Sequence, residues 1–227
     1  MKPLVVVTGA SSGIGAAIAR VFSAIGYSLA LLARRIEPMQ KLNLPQTHCL
    51  AVDVTDAQAF RQAINHIENQ LGPIDCLINN AGFVKAGDFT EVSHADNENT
   101  VKVNLLGVMN GIEAVLPGMR KRGVGTIINI SSVADRKARP QLPTYAATKA
   151  AVRSLSESLR VANAKYGIRI CNLAPAKTLT PMLVSANLKD GEVIKAEDVA
   201  NAVLYMYQLP PTVCIRDLVI APTCYEP

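Results

Sequence analysis

Thr8-Gly9-Ala10-Ser11-Ser12-Gly13-Ile14-Gly15 lies between a strand pattern and a helix pattern, and this placement points to the fold. Just before it, Leu4 to Thr8 is a short β-branched run; just after it, Ile14 to Gly26 carries Ala, Ile and Val at helical spacing and stops at a glycine. In a strand, turn and helix so arranged, free backbone amides and the positive end of the helix dipole favour a phosphate. Gly9, Gly13 and Gly15 allow a tight turn and close approach to a pyrophosphate, with Ser11, Ser12 and Ile14 beside them as further contacts. The plainer reading is a tight turn with a serine cap, and a glycine cluster alone does not separate the two.

Outward from this turn the same unit repeats. Ser28 to Ala33 reads as a strand, Ile36 to Asn43 as a short helix interrupted near Pro38, and His48 to Val54 as a strand. Ala57 to Leu71 reads as a helix stopped by Gly72-Pro73, and Ile74 to Asn79 as the fourth strand. A long helical pattern, His94 to Gly118, precedes a fifth strand, Thr126 to Ser132; a second, Thr144 to Tyr166, precedes a sixth, Ile168 to Leu173. An irregular segment from Ala174 to about Lys195 leads to a helix, Glu197 to Leu209, and a short strand around Leu218 to Ile220. Nearly continuous apolar strands alternating with helices predict an α/β fold: a doubly wound, Rossmann-like parallel sheet of about seven strands with helices on both faces. No composition break divides residues 1–227, so one domain is expected, with a short substrate lid over about 176–195 that includes Met182, Leu183 and Val184.

Composition narrows the function classes. Of 227 residues 49% are apolar, yet no apolar run approaches the roughly 20 residues of a membrane span. Met1 and Lys2 lead directly into Pro3 and a strand, which leaves no secretion signal and makes a cytoplasmic location the expectation. Five cysteines, Cys49, Cys76, Cys171, Cys214 and Cys224, form no CxxC pair; they read as reduced, buried thiols, and no metal is expected. The net charge of +5 raises a polyanionic partner. Its densest piece, Met119-Arg120-Lys121-Arg122-Gly123, reads more simply as cations at a helix C-terminus closed by glycine, with no aromatic residues to stack on bases. No nucleic acid is therefore expected.

The end of the second strand bears on the choice of dinucleotide. An NAD site carries an acid there for the adenosine ribose, whereas this chain has Ala33-Arg34-Arg35. Two guanidiniums favour a 2′-phosphate, so NADP(H) is the expected cofactor, although Arg35 also reads as a solvated surface residue. After the third strand, Asp53 beside Val54 is placed for an adenine amine; the alternative is a cap for the turn before Thr55 and Asp56.

Tyr145-Ala146-Ala147-Thr148-Lys149 opens the second long helix, and i, i+4 spacing puts phenol and amine on one face. A phenol of pKa ~10 is a poor acid near neutrality, and lowering it by about three units takes roughly 4 kcal/mol. A cation about 5 Å away supplies on the order of 3 kcal/mol, so Lys149 is expected to do most of it. Ser132, at the carboxyl end of the fifth strand, is placed to hydrogen-bond a reacting carbonyl oxygen. Singly, these residues read as a surface pair and a loop serine. Together they compose an acid/base site.

This set resembles the short-chain dehydrogenase/reductase family. The likeness rests on the turn from Thr8 to Gly15, Asp53, Asn79-Asn80-Ala81-Gly82, Asn104 within Lys102-Val103-Asn104-Leu105-Leu106-Gly107, and Ser132 thirteen residues before the Tyr145/Lys149 pair. By that resemblance the chain is an oxidoreductase acting on a small carbonyl or alcohol, with Ser132, Tyr145, Lys149 and Asn104 as catalytic residues. Asn80, Ala81 and Gly82 line the cofactor, Tyr145 and Lys149 also meet it, and Asn104 holds a water that relays protons from Lys149. Pro175-Ala176-Lys177-Thr178-Leu179-Thr180 departs from the family pattern in having Ala176 where glycine is usual, which bears on the backbone geometry there; Pro175, Thr178 and Thr180 keep the expected contact to the carboxamide. The long helices resemble those that pair in family dimers and tetramers, so a homodimer or homotetramer is implied. The competing class is a catalytically silent, NADP(H)-binding regulatory protein, against which the intact Ser132, Tyr145 and Lys149 argue.

Overall fold

The computed structural model describes residues 2–181 and 191–224. Met182, Leu183, Val184 and the rest of 182–190, the middle of the expected lid, lie outside the described residues. The strands are β1 (Leu4–Thr8), β2 (Ser28–Ala33), β3 (Thr47–Ala51), β4 (Ile74–Asn79), β5 (Gly125–Ile130), β6 (Ile168–Pro175), β7 (Thr178–Leu179), β8 (Ile194–Lys195) and β9 (Asp217–Ile220). The helices are α1 (Gly13–Ala24), α2 (Glu37–Gln40), α3 (Ala57–Leu71), α4 (His94–Val101), α5 (Gly107–Arg122), α6 (Pro143–Asn163) and α7 (Ala196–Gln208). Seven strands form one parallel sheet in the order β3-β2-β1-β4-β5-β6-β9, and β7 pairs with β8 in a separate two-stranded ribbon. The doubly wound α/β fold expected from the sequence is the one found.

Both faces of the sheet are covered, which is why its central strands are mostly apolar on both sides. On one face α1 and α7 pack around Ile18, Phe22, Leu29, Leu31 and Val203; on the other α3, α5 and α6 pack around Phe60, Ile64, Leu77, Val115 and Val152. Strand order reverses between β1 and β4, the position at which an open α/β sheet leaves a crevice beyond its carboxyl ends. The turns after these two strands therefore flank the place where a ligand fits.

β3 ends at Ala51 rather than Val54, β5 at Ile130 rather than Ser132, and the segment expected to be irregular holds the short strands β7 and β8; the long helices differ as well. The single helix expected over His94 to Gly118 is two helices joined by a π-helical turn, Lys102–Leu106, and α5 continues to Arg122. Gly123 closes α5 with φ +70°, so Arg120, Lys121 and Arg122 are last-turn cations, as the simpler reading had it. The second helix begins at Pro143 and ends at Asn163, with a 3₁₀ turn over Ala164–Tyr166.

Candidate active site

The turn after β1 is built so that side chains stay out of it. Gly9 and Gly13 have φ of +65° and +53°, and a Cβ on Gly9 would stand 2.7 Å from the Ala81 Cα. A Cβ on Gly15 would collide with the Gly9 carbonyl oxygen. Ser12 occupies the N-cap of α1 with an extended backbone and no side-chain cap bond, so its hydroxyl is not consumed by the plainer role. The turn is tied to the end of β4: Thr8 Oγ1 accepts from the Asn80 and Ala81 amides at 3.0 and 3.1 Å, and Asn80 Nδ2 donates to the Thr8 carbonyl at 3.0 Å.

Gly9, Ser12, Gly13, Asn80 and Ala81 line one wall of a cavity of about 360 Å³. At one end Ala33, Arg34 and Arg35 meet Val52, Asp53 and Val54; Arg34 and Arg35 are exposed. Asp53 Oδ1 accepts from the Thr55 amide and hydroxyl at 2.9 and 2.8 Å, so it performs the turn-capping role as well as lining the cavity. Val54 is held through its carbonyl, which accepts from Asn110 Nδ2 on α5 at 2.8 Å. Free amides at a helix start, a Cβ-free cradle and a cationic end fit an anionic dinucleotide bearing an extra phosphate.

Ser132, Tyr145 and Lys149 line the same cavity. Ser132 follows β5 in extended conformation, and its Oγ accepts from the Ala134 amide at 3.2 Å. Lys149 is buried; its Nζ donates to the Ile130 carbonyl at 2.8 Å and lies 5.6 Å from the centre of the Tyr145 ring. Loss of hydration lowers its pKa from 10.5 to about 8, against the pull of Asp135. Burial also pushes the Tyr145 phenol up; the Ser132 hydrogen bond works the other way, and the Asp135 charge adds to the rise. The expected lowering of the phenol by Lys149 is thus absent in the chain by itself. The i, i+4 spacing brings the two residues to one face, but it says nothing of the desolvation both undergo there.

Behind this trio stands a charge network that the sequence reading missed. The Asp135 carboxylate is buried among Ser131, whose Oγ donates at 2.9 Å, Asn172, whose Nδ2 donates at 3.1 Å, and the Arg136 guanidinium. Arg136 also pairs with Asp217 on β9 at 2.8 Å. Ser131 Oγ lies 3.2 Å from the Lys149 carbonyl, linking this carboxylate to the helix that carries Lys149. The available signal was an Asp-Arg pair directly after Ser131-Ser132-Val133-Ala134.

Asn104 is fully buried in the π-helical turn, and its side chain exchanges two 2.8 Å bonds with the Phe83 backbone and one of 3.3 Å with Thr148 Oγ1. Its amide therefore joins the turn after β4 to α6. Neither Asn104 nor Gly15 lines the cavity; every other expected site residue does. Gly15 instead lets α1 pack against the turn. Residues not singled out beforehand, Phe83, Asn99, Val103, Ile130 and Ser131 among them, complete the lining together with Ala176. Ala176 sits on a backbone without positive φ, so glycine is not required, and its amide donates to the Ile220 carbonyl at 2.8 Å. Thr178 is buried with its hydroxyl donated to the Ala176 carbonyl at 3.0 Å, and Thr180 lies against Gly13.

Comparison with known proteins agrees with this geometry. The family model for short chain dehydrogenases matches residues 3–191. Farnesol dehydrogenase from Aedes aegypti is 33% identical over 96% of this chain and 94% of its own length. Glycine betaine reductase from Emericella nidulans is 35% identical over 96% of this chain, which spans only 18% of that protein. Among solved structures, an alcohol dehydrogenase from Thermococcus sibiricus complexed with 5-hydroxy-NADP superposes with TM-score 0.92 at 27% identity, covering 100% of this chain and 99% of that one. A gluconate 5-dehydrogenase from Burkholderia cenocepacia in complex with NADP and tartrate gives 0.88 at 27% identity, covering 98% and 95%. With the fold, the glycine cradle and the family match in agreement, this chain belongs to the short-chain dehydrogenase family of oxidoreductases.

Proposed function

We propose that this chain is an NADP(H)-dependent oxidoreductase that interconverts a carbonyl and an alcohol, with Tyr145 as the acid/base group. The observation that carries the proposal is the convergence of Ser132, Tyr145 and Lys149 on the cavity that the glycine cradle and Arg34 also line. The amides from Gly9 to Ile14 would hold the pyrophosphate, Arg34 and Arg35 the 2′-phosphate, and Asp53 with Val54 the adenine. Asn80, Ala81 and Gly82 would line the dinucleotide, Lys149 would hold the nicotinamide ribose, and Pro175, Thr178 and Thr180 would meet the carboxamide. The hydride, and in the oxidised state a positive charge that favours the phenolate, are what the cofactor supplies when bound. In reduction Tyr145 gives its proton to the carbonyl oxygen while Ser132 donates a hydrogen bond to the developing alkoxide. Burial keeps the phenol protonated beforehand, which suits a donor, and Lys149, with a pKa of about 8, is poised to restore the proton near neutral pH.

Residues 1–227 act in this reading as one catalytic domain, in the cytoplasm. Exposed Val101 and Leu106, at the junction of α4 and α5, and Val161 on α6 support pairing of these helices in a homodimer or homotetramer. Light scattering at micromolar concentration is expected to give at least twice 24.2 kDa, and a monomer would remove that part of the proposal. The activity itself is tested by following NADPH consumption across a panel of ketones and aldehydes, and NADP reduction across alcohols and hydroxy acids. Turnover of at least one small substrate is expected. Tight NADPH binding with no turnover anywhere in the panel would favour the regulatory alternative.

A further inference from the structure

Outside the active site two thiols that are 43 residues apart in sequence come together. Cys171, in the middle of β6, and Cys214, in the segment leading into β9, place their Sγ atoms 3.8 Å apart. The pair is unsymmetrical. Cys171 is buried in the core shared with Ile128 and Leu173, whereas Cys214 is only half-buried and lies at the edge of that core. The neighbouring Arg169 guanidinium is fixed by the Met206, Tyr207, Leu209 and Val213 carbonyls. The Cys171 hydrogen bond, with the positive charges of Arg169 and Arg160 behind it, holds the Cys214 thiol below its usual range; that same contact and burial hold Cys171 above it. Cys214, half-buried, is the thiol that an oxidant from solvent reaches, and Cys171, buried beside it, is the thiol placed to resolve it.

We propose that Cys171 and Cys214 are an oxidation site, a dithiol that closes to an intramolecular disulfide when the protein meets a peroxide. The Cys214 thiolate attacks one peroxide oxygen, the O–O bond breaks, and Cys214 sulfenic acid and hydroxide result. The Cys171 sulfur then attacks the Cys214 sulfur, the S–O bond breaks, and the Cys171 proton leaves with the hydroxyl as water. In total two thiols lose two electrons and two protons, and one peroxide becomes two waters. Neither thiol is needed for the oxidoreductase reading, so the reading of this pair stands or falls separately.

The other cysteines sharpen the test. Cys76 is buried, Cys49 is half-buried with its thiol raised by burial, and Cys224 is exposed and free to couple between molecules. The protein carrying Cys224→Ser, treated with hydrogen peroxide, quenched with an alkylating agent and digested without reductant, is analysed by mass spectrometry. The expected product is a single cross-linked species joining the Cys171 and Cys214 peptides, two hydrogens lighter than their sum and released by dithiothreitol. Adding Cys171→Ser should leave Cys214 trapped by dimedone as a sulfenic acid; adding Cys214→Ser should leave Cys171 unmodified. Closing a loop of this length is also expected to raise Tm by roughly 4 to 16 °C. Cys214 carried to sulfinic acid while Cys171 remains an alkylatable thiol would overturn the proposal. So would two unlinked thiols after exposure that oxidises Cys224 in the unsubstituted protein.

Discussion

Lys149→Met should make the protein more stable while removing a group assigned to catalysis. Wild-type Lys149 holds a positive charge in a buried place, and burial brings its pKa from 10.5 down to about 8. At 1.36 kcal/mol per pKa unit, the charged form costs the folded chain about 3 kcal/mol near neutral pH. Methionine keeps the unbranched length and carries no charge, but it leaves the Ile130 carbonyl without its 2.8 Å donor, a loss of about 1 to 2 kcal/mol. A net gain of about 1 to 2 kcal/mol is left, or about 2 to 8 °C in Tm for a domain of this size. The sign reverses with pH. The unfolded chain keeps the lysine proton to about 10.5 while the folded chain releases it near 8, so the wild-type penalty is complete below pH 8 and fades between the two values. Urea denaturation of both proteins without cofactor, at one protein concentration and at pH 7 and about 9.5, reads the difference directly. A variant less stable than wild type at pH 7, or one whose advantage is the same at both pH values, would refute the argument that Lys149 is held charged at a cost.

Arg34→Ala should weaken NADPH binding roughly 10- to 100-fold and leave NADH nearly unchanged, because only the former carries the 2′-phosphate; calorimetric dissociation constants check this, and equal losses for both would count against the assignment. Asp135→Asn removes a negative charge that raises the pKa of both Tyr145 and Lys149, so both should fall and the ionisations seen in the pH–rate profile should move to lower pH. The same change unpairs Arg136 from a buried partner and should destabilise the fold by about 1 to 3 kcal/mol, less than a full buried pair because Asp217 remains. A profile unmoved beside a lowered stability would make Asp135 purely structural.

What the sequence discloses and what it conceals follow from how far apart the interacting residues lie. Helix α3 runs over the expected Ala57–Leu71 because its signals are local: Asp56 caps it by accepting from the Ala59 amide at 2.9 Å, and Gly72-Pro73 ends it. The cofactor cradle is legible for the same reason, since strand, glycines and helix are contiguous. The π-helical turn at Lys102–Leu106 is not, because the apolar spacing runs on through it while the buried Asn104 amide answers to Phe83, 21 residues earlier. The Arg136 to Asp217 pairing spans 81 residues and the Cys171 to Cys214 contact 43, so neither leaves a pattern in a sequence window. Helical spacing places Tyr145 and Lys149 together, but their protonation depends on burial that only the assembled sheet, helices and turns create.

If the Tyr145 hydroxyl is the proton donor of a hydride-transfer site, Tyr145→Phe isolates its contribution, because only that hydroxyl is removed. With a substrate from the carbonyl panel in hand, kcat and the NADPH dissociation constant are measured for wild type and variant under the same conditions. The expected result is a fall in kcat of roughly two to four orders of magnitude, the worth of a positioned acid, with NADPH binding and the unfolding midpoint nearly unchanged. A Tyr145→Phe protein that turns over at the wild-type rate would contradict it.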